Sequence, residues 1–127
     1  EKYRNIMEAF PDIQFYDYTK WPIGLRRNLP VNYDLTFSVA ETKENHRHAE
    51  EWLDEGERIS LVVDIPSYTH APLPTGLWGL DTTDGDRDDC RFLDPKDRLV
   101  LLRAKGKAVH DTTGFVFKLN DISNITW

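Results

Sequence analysis

Apolar positions divide the chain into strand-like and helix-like segments. β-branched and aromatic runs predict strands at residues 13–18, 33–39, 59–65, 98–104 and 114–119. Helical spacing of apolar residues predicts a short helix over residues 3–10, which Pro11 ends, and a longer helix over residues 42–56, with Thr42 at its start and Gly56 at its end. The pattern therefore alternates between strands and helices.

The middle of the chain predicts the fold class. The strand at 33–39, the helix at 42–56 and the strand at 59–65 lie within about 35 residues, as in a βαβ unit with a right-handed crossover. The segment 59–65 is almost continuously apolar, which is typical of a strand buried on both faces of a parallel sheet. We expect an α/β fold with a mixed or mostly parallel sheet, and an incomplete (β/α) barrel as its specific form.

Length and composition predict one domain. The chain has 127 residues and 39% hydrophobic residues, enough for a single core, so we expect one α/β domain over residues 1–127. It begins with Glu1 rather than Met, which suggests the C-terminal part of a longer protein. The single cysteine excludes an intramolecular disulfide and any multi-cysteine metal site, and no apolar run reaches the ~20 residues of a membrane span. A cytoplasmic location is the expectation.

Carboxylates are concentrated in the segment 84–95. Asp84, Asp86 and Asp88 alternate like the first ligands of a calcium loop, but the glycine and glutamate that an EF-hand needs are replaced by Asp89 and Pro95. A looser site for Mg²⁺ or Mn²⁺ remains, with Asp84, Asp86 and Asp88 as the metal ligands and Asp81 beside them. The alternative is a solvated turn, because acidic, glycine-containing turns are common.

A second set of candidates follows from the strand ends. In parallel α/β folds, ligands bind at the carboxyl edge of the sheet. The residues expected there are Asp17, Tyr18, Thr19, Lys20, Ser38, Glu41 and Asp64. We predict Asp17, Lys20 and Ser38 as catalytic residues, with His70 from the Pro-rich loop as a general base. The alternative for Asp17 and Asp64 is that each caps backbone amides. Lys105 and Lys107 follow a strand and either contact phosphate or form a solvated edge.

Five segments carry a resemblance to a known family. They are IQFYDYTK at 13–20, LPVNYDLTFS at 29–38, DGD at 84–86, RFLDP at 91–95 and AKGKA at 104–108. Together they resemble a family of bacteriophage and mobile-element proteins, some of which are similar to half of a (β/α) barrel and to radical-SAM barrels. The resemblance spans most of residues 11–117 and implies a phage origin and a longer parent protein. It implies no activity, and the absence of a three-cysteine motif leaves radical chemistry without support.

These observations favour a phage-type accessory protein with a polar, divalent-metal-dependent site for a phosphorylated or nucleotide ligand. The formal charge of −6 gives no general reason to bind nucleic acid. One alternative is a non-catalytic acidic protein that binds a host protein through Trp21, Trp78 and Trp127. Another is a subunit of a larger assembly, with Leu73, Leu77 and Trp78 as interface anchors. The sequence leaves open whether the protein is an enzyme.

Overall fold

The computed structural model describes residues 3–119. It contains two α-helices, α1 (Ile6–Ala9) and α2 (Lys43–Asp54). The strands are β1 (Phe15–Thr19), β2 (Tyr33–Ser38), β3 (Ile59–Pro66), β4 (Gly76–Leu77), β5 (Leu80–Asp84), β6 (Leu99–Ala104) and β7 (Val116–Phe117). Prediction placed α2 and the three longest strands within a few residues of their bounds, whereas α1 and β7 are shorter than predicted.

The strands form one mostly parallel sheet in the order β1-β2-β3-β6-β5-β4, with β7 paired to β3 beyond the end of β2. Among the strand pairs within residues 3–119, only β4–β5 is antiparallel. The β2–α2–β3 segment forms the predicted βαβ unit, because its two strands pair in parallel. The α/β class with a mostly parallel sheet is thus confirmed. In the described part of the chain β1 and β4 lie at the two ends of this strand order, so closure into a barrel is not shown.

One face of the sheet forms the hydrophobic core with α2. Alternate residues of the central strands point to this face, and they are Leu35, Phe37, Ile59, Leu61, Val63, Leu99 and Leu101. Helix α2 contributes Ala49 and Trp52, which are almost fully buried. The Trp52 ring lies 5.7 Å from the Phe37 ring, and its indole N–H donates to the carbonyl of Trp21. Thr42 caps the helix by accepting a hydrogen bond from the Asn45 N–H at 3.1 Å.

The opposite face is covered by residues 85–98. Arg58 and Arg91 are each only 1% exposed. Arg58 donates to the Thr36 hydroxyl, to the Asp94 carbonyl and to the Asp34 carboxylate. The Arg91 guanidinium lies 3.3 Å from the Asp94 carboxylate. Two buried arginines therefore hold this segment on the sheet, so it is not the wholly solvated turn that the sequence also allowed.

The β4–β5 hairpin is the main element that the sequence pattern missed. Its strands are joined by Trp78 and Gly79, whose φ angles of 53° and 76° are those of a tight hairpin turn. The predicted irregular loop, residues 66–77, therefore ends in a strand. The hairpin directs Trp78 inward, where its ring lies 6.3 Å from the Phe117 ring. Leu73, Leu77 and Trp78 are partly buried against the core, so Trp78 is less exposed than the sequence suggested, and their role as interface anchors stays a prediction. Trp127 lies outside the described residues.

Candidate functional site

The parallel strands bring the predicted polar residues to one edge of the sheet, but in two separate clusters. The first cluster lies at the carboxyl ends of β1 and β2 and contains Lys20 and Ser38; we call it the lysine–serine pair. The second lies at the carboxyl ends of β5 and β6, on the other side of β3, and is a cavity of about 320 Å³. We call it the charged pocket, and it is lined by Ser67, His70, Asp84, Asp86, Arg87, Arg103 and Lys105.

Arg103 organises the charged pocket. Its Nη1 lies 3.2 Å from Oδ1 of Asp84 and 3.2 Å from Oδ2 of Asp86. Its Nε donates to the carbonyl of Ala71 at 3.1 Å. The backbone N–H of Arg103 also donates to Asp86 at 2.8 Å, and the backbone N–H of Asp86 donates to Asp84 at 2.9 Å. The carboxylate of Asp84, at the end of β5, and that of Asp86, in the turn after β5, are thus fixed around the guanidinium that β6 supplies.

Lys105 also forms an ion pair with Asp86, because its Nζ lies 3.1 Å from Oδ1 of that carboxylate. Burial raises the pKa of Asp86, but hydrogen bonding to the Arg103 N–H and the nearby Lys105 ammonium outweigh that effect, and the pKa of the carboxyl lies below its usual value. Asp86 is therefore ionised at neutral pH. The pocket holds three cationic residues, Arg87, Arg103 and Lys105, against two carboxylates, so it carries a net positive charge.

His70 enters the charged pocket from the loop after β3. Its backbone has φ 54°, in the left-handed region, where a short 3₁₀ turn ends. The prediction that this loop reaches the sheet edge is supported by the position of His70 beside Asp84 and Asp86 in the pocket lining. Its role as a general base stays a prediction.

The three predicted metal ligands do not converge. Asp84 and Asp86 face Arg103, whereas Asp88 accepts a hydrogen bond from the Cys90 N–H at 3.0 Å and lies 3.5 Å from the Arg91 guanidinium. Within residues 3–119 no group of three or more His, Cys, Asp or Glu side chains is arranged to hold a metal ion. A divalent ion at Asp84 and Asp86 would compete with Arg103 and Lys105. Metal binding stays a prediction, and this geometry gives it little support.

The lysine–serine pair has a direct contact. Lys20 Nζ donates to Ser38 Oγ at 2.7 Å, and the ammonium lies 5.8 Å from the centre of the Phe115 ring. Burial lowers the pKa of Lys20, and the Glu41 carboxylate opposes this effect without cancelling it. The structure thus brings together two of the predicted catalytic residues.

Asp17 lies away from this pair. Asp17 pairs with the core residue Leu35 in the parallel register, whereas Ser38 lies three positions beyond Leu35 and so on the opposite face of the sheet. The Asp17 carboxylate accepts a hydrogen bond from the Tyr18 N–H at 2.8 Å. Asp64 accepts one from the Leu119 N–H at 3.0 Å. Both carboxylates bond to backbone amides, the alternative given above, and the structure gives Asp17 no contact with Lys20 or Ser38.

Two arginines of the charged pocket were not among the predicted site residues. Arg103 belongs to a strand whose sequence is mostly apolar, and Arg87 belongs to a segment that was considered only for its carboxylates. The available signal was the interruption of the apolar run at Arg103, one residue before the strand ends. Of the two lysines considered for phosphate contact, Lys105 lines the pocket, whereas Lys107 is not among the lining residues.

The fold and these clusters define an α/β protein with a mostly parallel sheet and a polar carboxyl edge. The sequence matches the profile of the family described as Gene product 88 over residues 1–119. Because the match covers most of the chain, the chain belongs to this family. The match indicates a phage-type protein; the family description states no activity. No curated protein and no solved structure matched the chain.

None of the helices within residues 3–119 is long and apolar enough to cross a membrane.

Proposed function

We propose that this chain is a phage-type accessory protein that binds a phosphorylated or nucleotide ligand in the charged pocket. The observation that carries the proposal is the net positive charge of this pocket in a chain whose formal charge is −6. The charge of the whole protein repels anions, so a local excess of cations at a concave site needs its own explanation. An anionic ligand supplies one.

The position of the pocket agrees with the proposal. It lies outside the carboxyl ends of β5 and β6, where open parallel sheets bind their ligands. Arg103 is held by hydrogen bonds at Nε and Nη1, while Nη2 makes none within the described residues. An arginine fixed in this way presents a preorganised donor, which suits a phosphate oxygen. Arg87 and Lys105 are exposed and can close on the ligand.

The divalent metal ion that the sequence predicts at the acidic segment is the weaker part of the proposal. Mg²⁺ or Mn²⁺ would enter with the phosphates of a nucleotide rather than at a preformed carboxylate cage, because Arg103 and Lys105 already neutralise Asp86. We therefore expect inorganic phosphate to bind without added divalent ions. A requirement for Mg²⁺ would instead favour the acidic segment as a metal site.

Isothermal titration calorimetry with pyrophosphate, AMP and ADP, each with and without Mg²⁺, tests the proposal. Arg87→Gln and Lys105→Gln should each weaken binding about tenfold or more, because a hydrogen bond to a charged group contributes about 1.5–3 kcal/mol. Lys107→Gln is the matched control, since it removes the same charge from an exposed lysine that does not line the pocket. Equal losses in all three variants would show non-specific attraction and contradict a defined site.

A second candidate is a non-catalytic protein that binds a host protein or a larger assembly. It is favoured by large apolar side chains that remain exposed around α1 and the loop before β2, namely Tyr3, Ile6, Phe10 and Val31. Asn32 ties these two segments together by donating to the carbonyls of Met7, Phe10 and Ile13. Trp21 is also 56% exposed, as that hypothesis expected. Light scattering after size exclusion would show a concentration-dependent mass if the chain assembles with itself.

A further inference from the structure

We propose that Lys20 and Ser38 form a lysine-activated serine nucleophile that transfers acyl groups from neutral esters, at a site distinct from the charged pocket. The inference does not depend on phosphate binding, since the two sites lie on different strands. It rests on the contact between the two side chains and on the hydrogen bonds that hold the backbone of Ser38.

The fold places the nucleophile and its base next to each other. β1 and β2 pair in parallel with Thr19 opposite Phe37, so the next residues, Lys20 and Ser38, lie side by side on one face of the sheet. Their Nζ and Oγ atoms are 2.7 Å apart. A general base must lie within this distance of the hydroxyl that it deprotonates.

Ser38 is held rigidly. Its carbonyl accepts a hydrogen bond from Nδ2 of Asn45 at 3.2 Å, and Oδ1 of the same amide accepts one from the Ala40 N–H at 2.6 Å. Asn45 is only 7% exposed and lies in the first turn of α2. One buried side chain therefore fixes the backbone on both sides of Val39. Movement of the Ser38 backbone away from Lys20 would break these hydrogen bonds.

The surroundings of Lys20 favour its neutral form more than water does. Burial lowers its pKa. The Glu41 carboxylate acts in the opposite direction, and the Phe115 ring, whose centre lies 5.8 Å from Nζ, also favours the ammonium through a cation–π contact. The net shift is toward the neutral amine that a general base requires.

A cavity of about 420 Å³ shares Glu41 with the surroundings of Lys20, although its lining includes neither Lys20 nor Ser38. Its lining includes Glu41, which acts on Lys20, and both neighbours of Phe115, Gly114 and Val116. Phe117 supplies an apolar wall, and Asp111 adds a second carboxylate to that of Glu41. These two carboxylates outnumber the single lysine of the lining, Lys118, and so disfavour an anionic acyl group; the expected substrates are esters with a neutral acyl group.

The chemistry balances with these two residues and water. Neutral Lys20 takes the Oγ proton as Ser38 forms a bond to the ester carbonyl carbon. The resulting ammonium gives that proton to the leaving alkoxide as the carbon–oxygen bond breaks, which leaves an acyl-serine. Water then attacks the acyl group, Lys20 accepts the water proton and returns it to Oγ, and the carboxylic acid is released.

The test is covalent labelling with a fluorophosphonate probe between pH 7 and 10, with the labelled residue located by peptide mass spectrometry. We expect labelling at Ser38 that rises with pH, no label in Ser38→Ala, and a rate about a hundredfold lower in Lys20→Arg, which keeps the positive charge but cannot act as a base. Lys107→Arg is the control, because Lys107 is exposed and is among the lining residues of neither the charged pocket nor the cavity near the pair.

Circular dichroism melting confirms that each variant is folded, so that loss of labelling is not loss of structure. Absence of label at Ser38 in the folded wild-type chain would overturn the proposal. So would an unchanged rate in Lys20→Arg, because the lysine would then have no role in activation. Phosphate binding that persists in Ser38→Ala would show that the two sites are independent.

Discussion

Replacing Gly85 with alanine should destabilise the protein, although the backbone there has no conformation that excludes alanine. A Cβ at this position would lie 2.4 Å from Nη1 of Arg91, 2.6 Å from Cγ1 of Val100 and 2.7 Å from Cδ2 of Leu102. All three distances are shorter than any normal van der Waals contact. Val100 is fully buried in the sheet, and Arg91 is 1% exposed, so neither can move into solvent.

The expected cost follows from overpacking. An extra methyl group in a well-packed interior costs about 1–3 kcal/mol. For a domain of this size, 1 kcal/mol corresponds to roughly 4 °C in melting temperature, so Gly85→Ala should melt about 4–12 °C below the wild-type protein. Because Gly85 lies between Asp84 and Asp86, the same variant should also weaken ligand binding in the charged pocket.

Gly24→Ala is the matched control. A Cβ on Gly24 meets no atom within 4 Å, and its φ is not positive. Alanine there should be neutral, or stabilising by up to about 1 kcal/mol, since it reduces the entropy of the unfolded chain. Differential scanning calorimetry of both variants measures the difference. Equal melting temperatures for the two variants would refute the packing of Arg91 against residue 85.

Two further predictions concern buried charges. Asp34→Ala removes the carboxylate partner of Arg58 and should lower the free energy of unfolding in urea by about 3 kcal/mol, because the guanidinium stays buried; a loss below 0.5 kcal/mol would contradict this reasoning. The pKa of Asp86 is lowered in the folded state by Arg103 and Lys105, so its contribution to stability is present above the unfolded pKa of about 3.9 and is lost as the pH falls through the lower folded value. Asp86→Asn should therefore reduce the loss of melting temperature between pH 5 and pH 2, and an unchanged acid profile would argue against these ion pairs.

Much of the fold could be predicted from the sequence because its central elements have strong patterns. The strand at Ile59–Pro66 is a continuous apolar run, and α2 has a capping threonine and an apolar face. The β5 strand has the sequence LDTTD, with one apolar residue in five, so no periodicity marked it. Its pairing with β6 comes from the tertiary structure, which is why the hairpin was missed and Trp78 was expected on the surface.

The candidate site could be predicted only in part. The rule that ligands bind at the carboxyl edge selected Lys20 and Ser38, and both lie there. Asp84 was selected from the acidic segment, and it lies at the same edge, where β5 ends. The rule does not give the order of the strands, and it is this order that separates Lys20 and Ser38 from the charged pocket. Nor does a count of carboxylates show which cations face them, because Arg103 and Asp86 are 17 residues apart and meet only through the pairing of β5 with β6.

The central claim is that the charged pocket binds phosphate-bearing ligands, and the most direct test is a ¹H–¹⁵N correlation spectrum recorded during titration with inorganic phosphate and then ADP. The account predicts saturable shifts of the amides of Asp86, Arg87, Arg103 and Lys105, with little change at Val39 and Ala40 beside the lysine–serine pair. Sodium chloride at matched ionic strength should not reproduce them. Shifts that do not saturate, or that spread over the surface with no maximum at these four amides, would contradict the account.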